Sequence, residues 1–202
     1  MTAGTLILGF GAFPGVAENP SGTLARSLEG PGRKVVILPV TWQAIAEIPA
    51  LLEAENPNAV LAFGVAPRRQ ICVETKALNA AHPFRPDASG QIAAPRPLDL
   101  QAPPVLASSF PALRLAVHLG RAGLVARPSR NAGRYLCNAL LFHLIAHERA
   151  LGVPCAFLHI PPFSNIRGGR RVLERAARQA LWFMNGERTR RKLSRIDTEF
   201  PA

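Results

Sequence analysis

Ala59-Val60-Leu61-Ala62-Phe63-Gly64 is the stretch of sequence that decides the fold. It is a short apolar run that ends in glycine, which is typical of a strand buried on both faces. Similar runs occur elsewhere in the chain, at residues 5–8 (TLIL), 34–40 (KVVILPV) and 155–160 (CAFLHI). Strands of this kind belong to parallel sheets that helices cover on each side. The stretch therefore predicts an α/β protein.

The segments between these runs carry helical or weaker strand patterns. We expect helices at about residues 20–28, 41–55, 111–121, 135–150 and 169–183. Further strands are expected at residues 70–78, where the alternation of apolar and polar residues predicts partial exposure, and at 123–128. Pro49 is expected to kink its helix. Six prolines between residues 82 and 104 predict a long loop there. Strands alternating with helices predict a three-layer sandwich with a mostly parallel, twisted sheet and helices on both faces.

The length of 202 residues suits one substantial core. We therefore expect a single α/β domain over residues 1–202, with a basic C-terminal helix and tail from about residue 167. No apolar run approaches the roughly 20 residues needed to span a bilayer. The first apolar run has no basic flank before it, so we expect no signal peptide and a cytoplasmic location.

The chain is strongly basic, with a formal net charge of +11. Ten of its Lys and Arg residues lie between residues 167 and 195. A basic tail can bind phosphate backbones, so a non-catalytic protein that binds nucleic acid remains an alternative. No recognition motif accompanies the charge, however, and aromatic residues make up only 6% of the chain. A solvated basic surface is the favoured interpretation.

The loops that follow the predicted strands carry the polar and aromatic candidates for a site. In α/β folds ligands bind at the carboxyl ends of the strands. Gly9, Gly11 and Gly15 follow the first strand, but their spacing does not match GxGxxG, so a dinucleotide site is not predicted. Phe10 and Phe13 on the same loop are candidates to line a small apolar pocket.

The three cysteines, Cys72, Cys137 and Cys155, are an odd number without a CxxC pair. Neither a disulfide framework nor a zinc site is therefore expected. Cys137 lies near a predicted helix start, where unpaired amides and the helix dipole favour the nucleophilic thiolate. Cys72 and Cys155 are expected to be core residues.

His159 lies at the end of the last predicted strand. A polar ring in that position needs a hydrogen-bond partner to offset the free-energy cost of its burial. A carboxylate on Nδ1 would satisfy the ring and raise its basicity, as in a Cys-His-acid site. His143 and His147 have the spacing of metal ligands, but the run HLIAH lacks the glutamate of HExxH. No metal and no organic cofactor is predicted.

Four segments together resemble the pyroglutamyl-peptidase I (pyrrolidone carboxyl peptidase) family of cysteine peptidases. They occur in the family's order and are spread over about 150 residues: GFGAFPGVAENPS at residues 9–21, GVAPRRQICVETKALN at 64–79, AGRYLCN at 132–138 and FLHIP at 157–161. The resemblance implies an α/β sandwich with a mainly parallel sheet. It also implies that Cys137 attacks the acyl carbonyl, that His159 takes and returns the proton, and that Glu74 orients His159.

The resemblance implies a substrate pocket as well. Phe10 and Phe13 would clasp the lactam ring of pyroglutamate, and Asn19 would help to hold the substrate. Backbone amides near Cys137, with a candidate near Arg68, would bind the oxyanion. The expected partner is a peptide with an N-terminal pyroglutamate, and no membrane partner is implied. Relatives of this kind often assemble, so a homo-oligomer is allowed, although no segment identifies an interface.

The chain departs from the family pattern at two places. The family's GxAGGR becomes GVAPRR at residues 64–69, with a proline in place of a glycine. An arginine-isoleucine-proline-aspartate segment becomes FRPD at residues 84–87, so an active-site arginine is displaced or lost. These changes leave open a related cysteine amidase that acts on another small acyl-amide.

Overall fold

The computed structural model describes residues 4–93 and 97–199, with side chains as far as Arg191. The strands are β1 (Thr5–Phe10), β2 (Arg33–Leu38), β3 (Ala59–Val65), β4 (Ile71–Glu74), β5 (Lys76–Leu78), β6 (Val105–Ala107), β7 (Ala126–Ser129) and β8 (Cys155–Ile160). The helices are α1 (Pro20–Arg26), α2 (Trp42–Ala46), α3 (Ile48–Glu55), α4 (Ala112–Arg121), α5 (Leu136–Leu151) and α6 (Gly169–Glu199).

Six strands form one sheet in the order β2-β1-β3-β8-β4-β7. The first four run parallel to one another, while β4 is antiparallel to β8 and β7 is parallel to β4. The stretch 59–64 lies in β3, at the centre of the sheet and buried along its length. A mostly parallel sheet confirms the predicted fold class, with the runs at residues 5–8, 59–64 and 155–160 in its central strands. The run at residues 34–40 lies instead in the edge strand β2, where only Leu38 is buried, so the expected burial on both faces was wrong there.

Two apolar clusters place helices on both faces of the sheet. One cluster joins the sheet to α1, α4 and α6, and the other joins it to α2, α3 and α5. Strands covered on both faces can be apolar throughout, which explains why β1, β3 and β8 contain so few polar side chains. The predicted three-layer arrangement follows from these two clusters.

The helix predicted over residues 41–55 is two helices rather than one kinked helix. α2 ends at Ala46 and α3 begins at Ile48, with Glu47 between them. Pro49 occupies the first turn of α3, where the amide that proline lacks has no partner to lose within the helix. The proline therefore starts a helix instead of bending one.

The strand predicted over residues 70–78 divides at Thr75. β4 enters the main sheet, and all four of its residues are buried, so the predicted partial exposure was wrong there. The polar residue that produced the alternation, Glu74, is itself buried. β5 leaves the sheet and pairs with β6, a three-residue strand too short to be recognised in the sequence.

α6 is longer than predicted and extends to Glu199 instead of ending near Phe183. The added turns contain charged helix formers, including Arg190, which pairs with Glu187 one turn earlier at 2.9 Å. No helix in the described part of the chain is both long enough and apolar enough to cross a membrane. The predicted long loop is confirmed for residues 82–93 and 97–104, which contain neither helix nor strand.

Candidate active site

Glu74 and His159 meet across two antiparallel strands. Cys72 lies opposite His159 in the ladder between β4 and β8, so Glu74, two residues further on, points to the same face as His159. His159 Nδ1 donates a hydrogen bond of 2.8 Å to Glu74 Oε1. Both side chains are almost completely buried. This bond fixes the imidazole and leaves Nε2 as the unprotonated nitrogen of the neutral ring.

Glu74 is an ionised carboxylate inside the protein. Burial alone would raise the pKa of Glu74, but hydrogen bonds from His159 and Ser129 and the charge of Arg68 together hold it below its ordinary value. The nearest part of Arg68, its Nη1, lies 3.0 Å from Oε1. A carboxylate in this state accepts the imidazole N–H strongly.

Cys137 is the second residue of α5, as the sequence predicted for a residue near a helix start. Its sulfur packs against β3: a Cβ atom at Gly64 would lie only 2.8 Å from Sγ. Gly64 is the residue that pairs with His159 in the ladder between β3 and β8. The thiol therefore lies directly above the strand next to the one that carries the imidazole.

The thiol of Cys137 is protonated at neutral pH. Burial raises its pKa to about 12, and the charge of Glu74 acts in the same direction. Arg85 and the amide of Cys137 itself lower the pKa, but their effect is smaller. The predicted stabilisation of the thiolate by the helix start is thus present and is outweighed by burial. A base must remove the proton before this sulfur can act as a nucleophile.

A cavity of about 480 Å³ opens over Cys137. Phe10, Phe13 and Asn19 line it together with the thiol, so the structure brings these four predicted residues together. The two phenylalanines differ, because Phe10 is a core residue at the end of β1 with 4% exposure whereas Phe13 is 38% exposed. Phe13 therefore offers most of the phenylalanine surface that a ligand would newly cover.

Phe13 is held by a tight turn, since its amide and carbonyl exchange hydrogen bonds with those of Val16. Pro14 and Gly15 form the corner, and Gly15 has a φ of +80°, which favours glycine. Phe13 is thus presented on an ordered turn.

Asn19 orders the same loop. Its Oδ1 accepts from the amide of Ser21 at 3.1 Å, which caps α1, and from the Ser21 hydroxyl at 2.8 Å. Its Nδ2 donates to the Gly11 carbonyl at 3.0 Å. The oxygen is therefore fully used within the protein, and the second hydrogen on Nδ2 is the group that remains for a ligand.

The long loop brings Arg85 to the cavity, although the family's arginine is displaced in the sequence. Arg85 lies over the ring of Tyr135, 4.2 Å from its centroid. The Tyr135 hydroxyl donates to the Pro86 carbonyl at 2.8 Å, and Asp87 accepts from the Trp42 amide at 2.7 Å. No local sequence pattern predicts these contacts, because the residues that make them are distant in the chain.

The start of α5 also presents unused backbone donors. Its N-cap residue is Tyr135, and no side chain in the described part of the chain caps the helix there. First-turn amides have no partner within a helix. Asn138 meanwhile joins the helix to the last residue of β5, with Nδ2 donating to the Leu78 carbonyl and Oδ1 accepting from the Leu78 amide, both at 2.8 Å.

Comparison with known proteins adds independent evidence. Residues 4–168 match the family model described as pyroglutamyl peptidase. A pyrrolidone-carboxylate peptidase of Deinococcus radiodurans is 33% identical over 167 residues, covering 77% of each chain. One from Gloeobacter violaceus is 34% identical over 164 residues, covering 77% of this chain and 80% of that protein. The crystal structure of pyrrolidone carboxyl peptidase from Thermus thermophilus is 32% identical, with a TM-score of 0.77 over 88% of this chain and 98% of the other.

Proposed function

This chain belongs to the pyroglutamyl peptidase family, and we propose that it removes an N-terminal pyroglutamyl residue from peptides through an acyl-enzyme formed on Cys137. The observation that carries the proposal is the buried His159–Glu74 pair on the strand beside the one against which the thiol packs. A thiol, an imidazole and an orienting carboxylate are the parts of a nucleophilic acyl-transfer site.

The first step transfers a proton and forms a thioester. His159 Nε2 takes the thiol proton as the sulfur attacks the carbonyl carbon of the pyroglutamyl residue. Because the pKa of Cys137 is raised to about 12, this proton cannot leave to solvent at neutral pH, so the base is required. The imidazolium formed next to Glu74 is stabilised by the carboxylate, and it then gives the proton to the departing amine of the peptide.

The oxyanion of the tetrahedral intermediate is bound by amides at the start of α5, including that of Cys137. Near Arg68, the amide of Arg68 itself already donates to the Ala66 carbonyl at 2.7 Å and is not available to the oxyanion. Arg85 adds a positive charge at the cavity wall. Donors that are fixed before the reaction need no reorganisation when the charge develops.

The cavity suits a small uncharged lactam. Pyroglutamate needs apolar walls and few hydrogen bonds, which Phe13, Phe10 and the remaining Nδ2 hydrogen of Asn19 supply. After the amine has left, His159 takes a proton from water as the water oxygen attacks the thioester carbonyl. The C–S bond then breaks to release pyroglutamate, and the imidazolium returns the proton to the thiolate, which restores the thiol.

The test is hydrolysis of a fluorogenic pyroglutamyl amide by the purified protein. We expect the wild-type protein to be active and Cys137→Ala to be inactive. Cys155→Ala should remain active, since Cys155 is buried in β8. Thiol-dependent hydrolysis of other small N-acyl amides, with none of the pyroglutamyl amide, would instead support the related cysteine amidase.

For the compartment we propose the cytoplasm. All three cysteines are free thiols, and two of them are buried, which suits a reducing environment. Fractionation of the native host followed by immunoblotting tests the proposal.

We also propose an assembly of identical chains, which analytical ultracentrifugation tests; a single species with the mass of one chain contradicts it.

A further inference from the structure

The side chain of Arg68 lies behind the candidate catalytic residues and outside the cavity. Its Nη1 donates to Glu74 Oε1 at 3.0 Å and to Ser129 Oγ at 3.1 Å. Its Nη2 donates to the carbonyl of Asn131 at 2.6 Å. The side chain is 26% exposed, whereas that of Glu74 is fully buried. One guanidinium thus serves three acceptors in three different segments.

These segments are the ones that carry the site. Glu74 ends β4, Ser129 ends β7, and Asn131 begins the turn that leads into α5 and Cys137. The turn is ordered further by its own bonds, since Ser129 Oγ accepts from the Asn131 amide at 3.3 Å and Asn131 Oδ1 accepts from the Gly133 amide at 3.0 Å. Arg68 therefore adds a side-chain link between the acid and the turn before the nucleophile, beside the ladder of β4 and β7 and the hydrogen bonds of Thr75 to the Ser129 carbonyl.

The charge of Arg68 also acts on the acid. Oε1 of Glu74 accepts from both His159 and Arg68, so the same oxygen that holds the imidazole is held by the guanidinium. A buried carboxylate without a cation nearby tends to take up a proton. A protonated Glu74 would lose the charge that stabilises the imidazolium.

We propose that Arg68 is a positioning residue, which keeps Glu74 ionised and aligned with His159 and anchors the turn before Cys137. The inference rests on the proposed function. Arg68 acts through Glu74, because it does not line the cavity and its backbone amide is already bonded to Ala66. An arginine suits this place because its planar fork donates from two separate nitrogens, Nη1 to Glu74 and Ser129 and Nη2 to Asn131, whereas a lysine has a single donor nitrogen.

The chain offers a matched control in the neighbouring residue. Arg69 is exposed and makes no hydrogen bond or ion pair with the described residues. Arg68→Gln and Arg69→Gln therefore remove the same charge one residue apart, but only the first removes the contacts. We expect Arg68→Gln to lower kcat roughly 10–100-fold with KM nearly unchanged, and Arg69→Gln to leave both at the wild-type values.

Two readouts separate positioning from mere structural support. The acid limb of the kcat/KM profile should move to higher pH in Arg68→Gln, because Glu74 then takes up its proton at higher pH. A ¹³C NMR titration of the glutamate carboxyls should show that the pKa of Glu74 rises in Arg68→Gln and keeps its wild-type value in Arg69→Gln. The signal of Glu74 is assigned by its absence from the spectrum of Glu74→Gln. Arg68→Lys, which keeps the charge, should return the acid limb and this pKa towards wild type.

The NMR titration needs no substrate, so it tests the inference even if the protein fails to hydrolyse pyroglutamyl amides. An unchanged pKa of Glu74 in Arg68→Gln overturns the inference. If Arg68→Gln does not fold, Arg68→Lys decides: lower kcat with unchanged KM supports positioning through the fork, and wild-type kcat overturns it.

Discussion

Replacing Gly64 by alanine tests where the thiol lies. The new Cβ would lie 2.8 Å from Cys137 Sγ and 2.8 Å from Cζ of Phe157, distances that real Cβ atoms essentially never show. Phe157 is fully buried, and the β3 backbone is bonded to strands on both sides. Cys137 is partly exposed to the cavity, so its side chain is the neighbour that can give way.

The two consequences of Gly64→Ala differ in size. Inserting a methyl group into packed surroundings costs about 1–3 kcal/mol of unfolding free energy. For a chain of this length, each kcal/mol lowers Tm by about 2–4 °C. A displacement of a reacting atom by about 1 Å costs on the order of 10²-fold in rate. We therefore expect a folded protein with moderately lower Tm and a kcat reduced about a hundredfold.

The assay is kcat on a fluorogenic pyroglutamyl amide, together with thermal unfolding of the same preparation. Gly120→Ala is the control, because a Cβ there meets nothing within 4 Å. As a helical glycine replaced by alanine, it should gain roughly 0.5–1 kcal/mol of stability and keep its activity. Wild-type kcat and Tm in Gly64→Ala would refute the position of the thiol against β3.

Three further predictions concern the thiols, the acid and the cavity. Iodoacetamide should label Cys137 before Cys72 and Cys155, because those two are buried. The rate of labelling at Cys137 should rise with pH up to at least about pH 10, since the pKa of its thiol is raised. Peptide mapping checks this, and faster labelling of another cysteine contradicts it. Glu74→Gln should lower kcat roughly 10²–10⁴-fold. The pKa of Glu74 is lowered in the folded protein, so the ionised carboxylate stabilises the fold above the ordinary pKa of glutamate, and this stabilisation is lost as pH falls through the folded pKa. Glu74→Gln should therefore flatten the acid dependence of the unfolding free energy. An unchanged dependence would contradict this. Phe13→Ala should reduce kcat/KM with little change in Tm, because 38% of Phe13 is exposed without a ligand; a large fall in Tm with normal activity would assign Phe13 to the core.

The central sheet could be predicted from the sequence because its strands are nearly continuous apolar runs. β1, β3 and β8 are buried on both faces, so burial determines most of their composition, and His159 is the exception in β8. The position of Cys137 at a helix start was also predictable, since the turn before it carries glycine. Local patterns were sufficient in both cases.

Other features depend on contacts between distant residues. Glu74 reaches His159 through the antiparallel β4–β8 ladder, whereas the sequence predicted only that strand ends would converge. Arg85 reaches the cavity because Tyr135 and Asp87 hold the loop that carries it. The raised pKa of Cys137 follows from how closely the folded chain surrounds the sulfur, which local sequence does not encode.

The most direct test of the central claim is to identify the covalent intermediate. The protein is mixed with excess pyroglutamyl amide, quenched in acid within one turnover, digested and mapped by mass spectrometry. We predict a pyroglutamyl thioester on the peptide that contains Cys137, absent from Cys137→Ala. Finding the acyl group on Cys72 or Cys155 instead of Cys137 while the amide is being hydrolysed would contradict the account. Undiminished hydrolysis by Cys137→Ala would contradict it as well.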